Sequence, residues 1–331
     1  MALPSLECGV QPMSGDGIKA TVIVAAFRAR DVLPASVQSA LSQTGVTCEV
    51  VIVDDASGDG TFEAAKRLAR GDDRVRVLRL ERNGGPAAAR NAALDVAQGE
   101  WIAVLDADDR MEPDRLARMI AFGEAQGADA VFDDFQPVDP AGQPIGTTHL
   151  APLALQTPQL WGLERFLEGC QARPGVPSPG YLKPVLRRAS VDRLGLRYDT
   201  TLRNGEDFHL IAALLASGGR LWVMPEAGYL YRRSAGTISA RLDPQHARAL
   251  AVADLAFARR LDLSDRARAL MRTRRRRLDD MVATEAVLTH LRARKPGAAL
   301  SILRHRPSAT TRLFRQVGEA IRRRISGDFR A

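Results

Sequence analysis

Apolar residues in the first 110 positions follow two alternating patterns. Residues 20–26 (ATVIVAA), 49–53 (EVVIV) and 101–105 (WIAVL) are short apolar runs rich in β-branched residues, the signature of strands buried on both faces. Residues 75–80 alternate arginine with apolar side chains and predict a further strand. Between these runs, residues 32–43 place Leu33, Val37, Ala40 and Leu41 on one helical face, and residues 61–70 and 87–97 also read as helices. Strands alternating with helices of about ten residues predict right-handed βαβ units and a parallel sheet. The polar, glycine-rich segments 54–60, 83–86 and 106–109 each follow a strand, at the edge where open α/β sheets bind ligands.

The second half is less regular. Residues 131–135 predict a strand, 137–158 an irregular excursion, 160–170 a helix, and 174–179 a proline-rich loop. Residues 180–186 are strand-like, 206–217 form an amphipathic helix that opens on two acids, and 221–231 are a last apolar stretch. Beyond Arg241 only arginine-rich helical patterns remain. These shifts divide the chain into a lead (1–17), two halves of an α/β domain (18–130 and 131–240) and a helical basic extension (241–331).

Composition narrows the class. With 331 residues, 45% hydrophobic and 26% charged, the chain is neither disordered as a whole nor collagen-like. No window reaches the ~18–20 uninterrupted apolar residues of a membrane-spanning helix. Glu7 and Asp16 precede the first basic residue, Lys19, so the start does not read as a signal peptide and the expected location is cytoplasmic. Cys8, Cys48 and Cys170 are too few and too scattered for a disulfide scaffold or structural zinc site. The net charge of +8 is unevenly spread: residues from 241 onward carry 22 basic and 9 acidic groups, whereas residues 1–240 carry 25 and 30. That asymmetry points the extension toward an anionic surface.

Several sites are absent from the sequence: a G-x-x-x-x-G-K-[ST] phosphate loop, a G-x-G-x-x-G turn after the first strand, G-x-S-x-G, and histidines at metal-ligand spacing. Asp106-Ala-Asp108 fails as a calcium loop, because Met111 and Ala117 stand where glycine and glutamate are required. What remains is a set of carboxylates at strand ends: Asp54, Asp55, Asp106, Asp108, Asp109 and, far along the chain, Glu206 and Asp207. Asp106 and Asp108, one residue apart after a strand, can face the same side and suit a hard divalent cation that keeps room for substrate phosphates. A solvated acidic turn has the same local pattern.

The order of the pieces decides between them. A strand ending near Phe27, then VDDASGDGT, NGGPAAARN, LDADD and GED, resembles the family 2 glycosyltransferases of GT-A fold, and within them the bacterial exopolysaccharide enzymes such as those building succinoglycan. The resemblance spans residues 18–240. It implies an α/β fold with a mostly parallel sheet flanked by helices, and an inverting transfer from a nucleotide-diphosphate sugar, a UDP-sugar foremost. The acceptor would be a hydroxyl of a glycan or polyprenyl-linked glycan. It also implies Mg²⁺ or Mn²⁺ as cofactor.

By the same resemblance, the backbone at Ala25, Ala26 and Phe27 borders the base and ribose. Asp55 accepts from the uracil ring nitrogen, and Arg90 lies near the diphosphate. Asp106 and Asp108 are the D-x-D that meets ribose and metal, and Asp207 is the catalytic base with Glu206 beside it. The family's usual Tyr-Asn is Phe27-Arg28 here, which removes a hydroxyl. Lys183, Arg187 and Arg188 are candidates for donor phosphates or an anionic acceptor. Tyr231, Arg232 and Arg233 precede a segment, 234–239, where related enzymes carry a loop over the nucleotide. Trp101 and Trp222 are expected in the core. A nucleotidyltransferase, or an inactive nucleotide-sugar-binding scaffold, is the alternative that strand-end acids leave open. In the extension, Leu313, Phe314, Val317, Ile321 and Ile325 share a helical face among arginines. They predict peripheral attachment to the inner face of the plasma membrane, against the alternative that the face packs on the catalytic domain. Nucleic acid is not an expected partner, since aromatic interleaving and a binding motif are missing.

Overall fold

In a computed structural model of the chain, the described residues are 17–171, 178–233, 244–310 and 313. The chain divides into two compact units, Met1–Ser234 and Ala235–Ala331.

The first unit is built on a nine-stranded sheet of order β3-β2-β1-β4-β8-β6-β9-β5, with β7 also on β9. Its first half is parallel: β1 (Ala20–Ala26), β2 (Cys48–Asp54), β3 (Val75–Arg79) and β4 (Trp101–Asp106), connected through α1 (Leu33–Leu41), α2 (Thr61–Gly71) and α3 (Pro86–Val96). The apolar runs read from the sequence fall within these strands and are buried almost throughout. Register then sets the site. Ala26 lies opposite Asp54 and Ala25 opposite Asp106, so the end of β1 and the acidic turns after β2 and β4 emerge level at one edge.

Beyond β4 the sheet becomes mixed. β8 (Val185–Arg187) runs antiparallel to both β4 and β6 (Ala130–Val138), β6 pairs parallel with β9 (Leu221–Arg232), and β5 (Arg110–Met111) and β7 (Gln159–Trp161) lie antiparallel on β9. The stretch expected as a helix from 160 therefore starts as a strand, and α5 (Leu163–Gly169) begins only after Gly162. The strand-like stretch 180–186 also divides, into a 3-10 turn, Pro179–Tyr181, and β8. Pro184 interrupts it because it has no N–H to give a ladder, although its carbonyl still accepts from Val104 N at 3.2 Å. Helices α4 (Arg115–Ala125), α6 (Arg188–Arg193) and α7 (Glu206–Ala216) complete the unit.

The core lies between sheet and helices, with Ile23, Ile52, Ile102, Leu105, Leu33 and Phe166 fully buried. Trp101 is buried under the Arg187 guanidinium, 4.4 Å from its ring, as expected of a core residue, whereas Trp222 is only part-buried and meets Phe122 edge-on at 5.4 Å. A fully buried ion pair pins the second half: Arg115 forks onto Asp133 at 2.9 and 2.7 Å and donates to the Lys183 carbonyl at 2.7 Å.

The second unit holds α8 (Pro244–Arg260), α9 (Asp265–Arg292) and α10 (Pro296–His305). α9 packs against both others, with Met271, Leu278 and Val287 buried along it. Ser264 caps it by accepting from Ala267 N. Buried Asp254 of α8 accepts from Arg274 at 3.1 Å. No described helix is long and apolar enough to cross a membrane. Of the expected surface helix, Leu313 is helical, and Phe314, Val317, Ile321 and Ile325 lie outside the described residues.

Candidate active site

Asp55 shapes the floor of the edge. Its oxygens accept from Gly84 N (2.6 Å) and Gly85 N (2.8 Å), while its own N–H donates to the Ala26 carbonyl at 2.8 Å. The VDD and NGG segments are thereby one structural piece. A carboxylate has about four acceptor positions, so this use leaves room for a further donor. Asp54, fully buried, accepts from Ser57 N, and burial pushes its carboxyl up from the usual range. Phe27 is 44% exposed at the end of β1. Arg28 beside it has φ of +51°, a conformation that asparagine tolerates better than arginine. The Ser57 hydroxyl accepts from Arg28 N at 3.0 Å and holds that turn in place.

The centre is an ion cluster. Arg90, 3% exposed on α3, donates from Nη1 to Glu206 (2.6 Å) and Asp207 (2.9 Å) and from Nη2 to Asp106 (2.7 Å). Lys183 closes the ring, its Nζ 2.9 Å from Asp106 Oδ2 and 3.1 Å from Asp207 Oδ2. Burial alone would push the Asp106 carboxyl up. Lys183 and Arg90 outweigh that and hold it at about 2. Burial, followed by the Asp207 charge, pushes Glu206 up. The Tyr198 ring lies under Arg90, 5.4 Å from Cζ, and the Asn91 side chain clamps the Tyr198 backbone by two 2.9 Å bonds. Glu206 and Asp207 occupy the first turn of α7, where the helix dipole favours negative charge, after Gly205 at φ +80°.

Asp108 differs from Asp106. It is half-buried, not the exposed turn residue that its sequence setting suggests, and it forms no ion pair among the described residues. Burial and then the neighbouring Asp106 charge push its carboxyl up. Asp109 is buried and does structural work: Tyr229 accepts from Asp106 N (3.1 Å) and donates to Asp109 (2.7 Å), which also accepts from Arg232 N (2.8 Å). Burial and then the charges of Asp106 and Asp108 push Asp109 well up. Arg232 thus meets the acidic turn through its backbone.

No cluster of three or more metal-ligating side chains occurs among the described residues. The donor set nevertheless fits a hard cation of the type bound by one or two carboxylates plus substrate phosphates. Asp106, Glu206 and Asp207 are paired with two cationic side chains, and the Asp108 carboxylate forms no ion pair among the described residues.

The structure brings Asp106, Glu206, Asp207, Arg90 and Lys183 into direct contact, with Ala25, Ala26, Phe27, Asp55, Asp108 and Arg232 on the same edge. Arg187 and Arg188 are elsewhere: Arg187 donates to Ala128 O and Arg188 to Gly99 O, at the opposite ends of β6 and β4. Sequence reasoning missed Tyr198, Tyr229 and Arg115. Tyr229 and Arg115 stand in ordinary apolar and helical contexts and Tyr198 in the loop before α7, and no local pattern marks them.

An α/β sheet with acids gathered at the carboxyl edge of its parallel strands is an architecture that binds ligands at that edge. The chain matches the glycosyl transferase family 2 model over residues 21–194. The succinoglycan biosynthesis protein ExoO of Rhizobium meliloti is 39% identical over 303 residues, 92% of this chain and 86% of that protein. S. aureus TarS residues 1–349, in complex with UDP-GlcNAc, superimposes with a TM-score of 0.61 at 20% identity, covering 86% of this chain and 90% of that one. The mannosyltransferase PcManGT of Pyrobaculum calidifontis, in complex with GDP-Man and Mn²⁺, gives 0.58 at 19% identity over 95% and 83%. The chain belongs to glycosyl transferase family 2 and is a glycosyltransferase.

The cluster makes a testable claim about charge. Arg90→Met leaves the buried Glu206 and Asp207 and the part-buried Asp106 without their shared partner, and removing one side of such a network costs about 3–5 kcal/mol at neutral pH. Asp106 is held below its ordinary 3.8, so its share of the stability is present above that value and is lost as pH falls toward about 2. The urea-midpoint gap between wild type and variant should therefore be widest near pH 7 and narrow below about pH 4. A gap that does not change with pH would assign the loss to packing.

Proposed function

We propose that the chain is a divalent-metal-dependent, inverting glycosyltransferase. It moves a sugar from a nucleotide-diphosphate donor, a UDP-sugar, to a hydroxyl of a glycan or polyprenyl-linked glycan in exopolysaccharide assembly. The observation that carries this is the convergence of Asp106, Glu206 and Asp207 on Arg90 and Lys183 at the carboxyl edge of the sheet, next to Asp108, which forms no ion pair among the described residues. Likeness to ExoO supports the pathway, and family membership favours glycosyl over nucleotidyl transfer or a scaffold role. TarS with UDP-GlcNAc supports the donor class, and PcManGT with Mn²⁺ supports the metal.

In this reading, Phe27 and the backbone of Ala25 and Ala26 border the nucleotide, and Asp55 takes a hydrogen bond from the base. Asp108, with Asp106 beside it, holds Mg²⁺ or Mn²⁺, which supplies Lewis-acid neutralisation of the diphosphate leaving group. Arg90 and Lys183 add fixed positive charge on the same side. Asp207 takes the proton of the acceptor hydroxyl as its oxygen bonds to the anomeric carbon and the bond to the diphosphate breaks. Displacement with a single base inverts the anomeric configuration, unlike the paired carboxylates of retaining hydrolases. Glu206 keeps Arg90 oriented toward Asp207.

A surface of the second unit other than the expected 313–325 face supports a membrane contact. Leu291 and Leu300 are about half exposed near the junction of α9 and α10, among exposed Arg292, Arg294, Lys295 and Arg304. Residues 286–318 contain no acid. Basic residues close to anionic lipid contribute about 1 kcal/mol each, and exposed leucines suit the headgroup boundary.

Three outcomes test the proposal. Asp207→Asn should lower turnover by ~10²-fold or more with UDP affinity nearly unchanged, and a parallel loss of UDP affinity would make Asp207 a binding residue. Asp108→Ala should abolish the Mn²⁺-dependent part of UDP binding in calorimetry, and undiminished binding would remove Asp108 from the metal site. Sedimentation with phosphatidylglycerol vesicles should weaken as salt rises and fall about tenfold or more in the Arg292/Arg294/Lys295→Gln variant. Vesicle binding indifferent to both would place the contact elsewhere.

A further inference from the structure

Two aromatic rings stand out among the exposed large hydrophobic residues of the first unit. Phe27 is 44% exposed and Tyr181 is 48% exposed. Phe27 continues β1 on the side read as the nucleotide's. Tyr181 is on the other side of the cluster, and nothing in the mechanism above uses it.

Its surroundings are built. Tyr181 ends the 3-10 turn Pro179–Tyr181, and its N–H donates to Ser178 O at 3.2 Å. The same carbonyl lies 2.9 Å from His149 Nε2. The His149 ring meets Tyr181 edge-on, with centroids 6.3 Å apart and planes at 89°. Behind it, His149 stacks on Phe135 at 4.4 Å and 15°, and Phe135 is 7% exposed and also packs against Tyr231 at 5.1 Å. Three elements therefore brace one exposed ring: the turn itself, the segment after β6, and the paired strands β6 and β9. An aromatic side chain fixed in this way offers contact area at little cost in conformational freedom.

The turn that carries the ring also adjoins the chemistry. A Cβ placed on Gly180, the residue before Tyr181, would lie 3.7 Å from Cβ of Phe208, which directly follows Asp207. Two residues after Tyr181, Lys183 places its Nζ 3.1 Å from Asp207 Oδ2. The turn carrying Tyr181 thus adjoins the first turn of α7 on one side and leads into the ion cluster on the other. A pyranose has one face lined with C–H bonds and a rim of hydroxyls. The apolar face suits a tyrosine ring, while one rim hydroxyl must reach the base.

We propose that Tyr181 is the stacking platform for the acceptor sugar. It holds the apolar face of a pyranose so that one hydroxyl is turned toward Asp207. The inference rests on the glycosyltransferase reading and adds to it the chemical class of the acceptor subsite, a hexopyranose presented face-on.

The test uses the full chain, saturating UDP with Mn²⁺, and the disaccharides cellobiose, laminaribiose and lactose as probes in saturation-transfer NMR. Wild type should pass saturation from aromatic protons to the C–H protons of one pyranose ring in at least one probe. Tyr181→Ala should weaken that probe's binding about 3–10-fold, while Tyr181→Phe, which keeps the ring, should stay within about twofold. UDP affinity should be unchanged in both variants, and the thermal midpoint unchanged in Tyr181→Phe, which keeps the ring's contact with His149. Absence of probe binding by wild type, undiminished binding by Tyr181→Ala, or a matching loss of UDP affinity would each overturn the platform. Release of UDP from UDP-glucose by wild type is read separately: its absence would count against the transferase reading, whereas turnover with an indifferent Tyr181 would count against the platform alone.

Discussion

The arrangement of the candidate active site depends on a single buried guanidinium. Arg90 reaches one carboxylate 16 residues away and two others 116 and 117 residues away, and it does so with 3% of its surface exposed. A charge so placed is costly to desolvate, and networks of this kind commonly give little net stability compared with apolar packing. Their effect is on geometry. Because an uncompensated charge at any member would be expensive, the end of β4 and the first turn of α7 have one low-energy relative placement. Lys183 reinforces that placement, since its ammonium is shared between the same two elements and its carbonyl is fixed by Arg115.

A second layer carries the constraint outward. Tyr229 couples β9 to the acidic turn by accepting from Asp106 N and donating to Asp109, and the Arg115 guanidinium lies 5.1 Å over the Tyr229 ring. Arg115 is in turn forked onto Asp133 of β6. The three acids at the end of β4 and just beyond it thus have three different environments. Asp106 is neutralised by two cations, Asp108 forms no ion pair among the described residues, and Asp109 is absorbed into the hydrogen bonding of β9. One short acidic run provides a structural anchor, an ion-pair partner and an open ligand because each residue meets a different element.

Much of this was legible in the sequence where a local physical rule applies. The strands β1, β2 and β4 announce themselves because strands buried on both faces must be continuously apolar, and their flanking helices have the matching period. β5 and β7 did not, at two and three residues. The antiparallel direction of β8 was also hidden, because residue pattern within a short buried strand does not encode the direction of its neighbours. Asp207 was legible as the acid opening a helix, and its contact with Arg90 was not, since no rule of spacing links positions 90 and 207. Asp108 was legible as one of a pair with Asp106, but its distinct environment was not, because that depends on where Lys183 and Arg90 stop. Arg187 and Arg188 looked like Lys183 in sequence, and the antiparallel run of β8 carries them to the far end of the sheet.

The order of the motifs was more informative than any one of them, for a topological reason. Acidic turns are common, and a D-x-D by itself has an ordinary explanation as a solvated loop. In a parallel sheet, however, successive strand ends are forced to the same edge. VDD after β2 and LDADD after β4 therefore converge whatever their separation in sequence, with Ala25 facing Asp106 and Ala26 facing Asp54 in the register. NGG then joins them because Asp55 captures its two amides, and GED joins through Arg90 of the helix that NGG begins. The five segments are each weak as local signals. Together they specify a site, because the connection of each to the next is made by the sheet or by a named hydrogen bond.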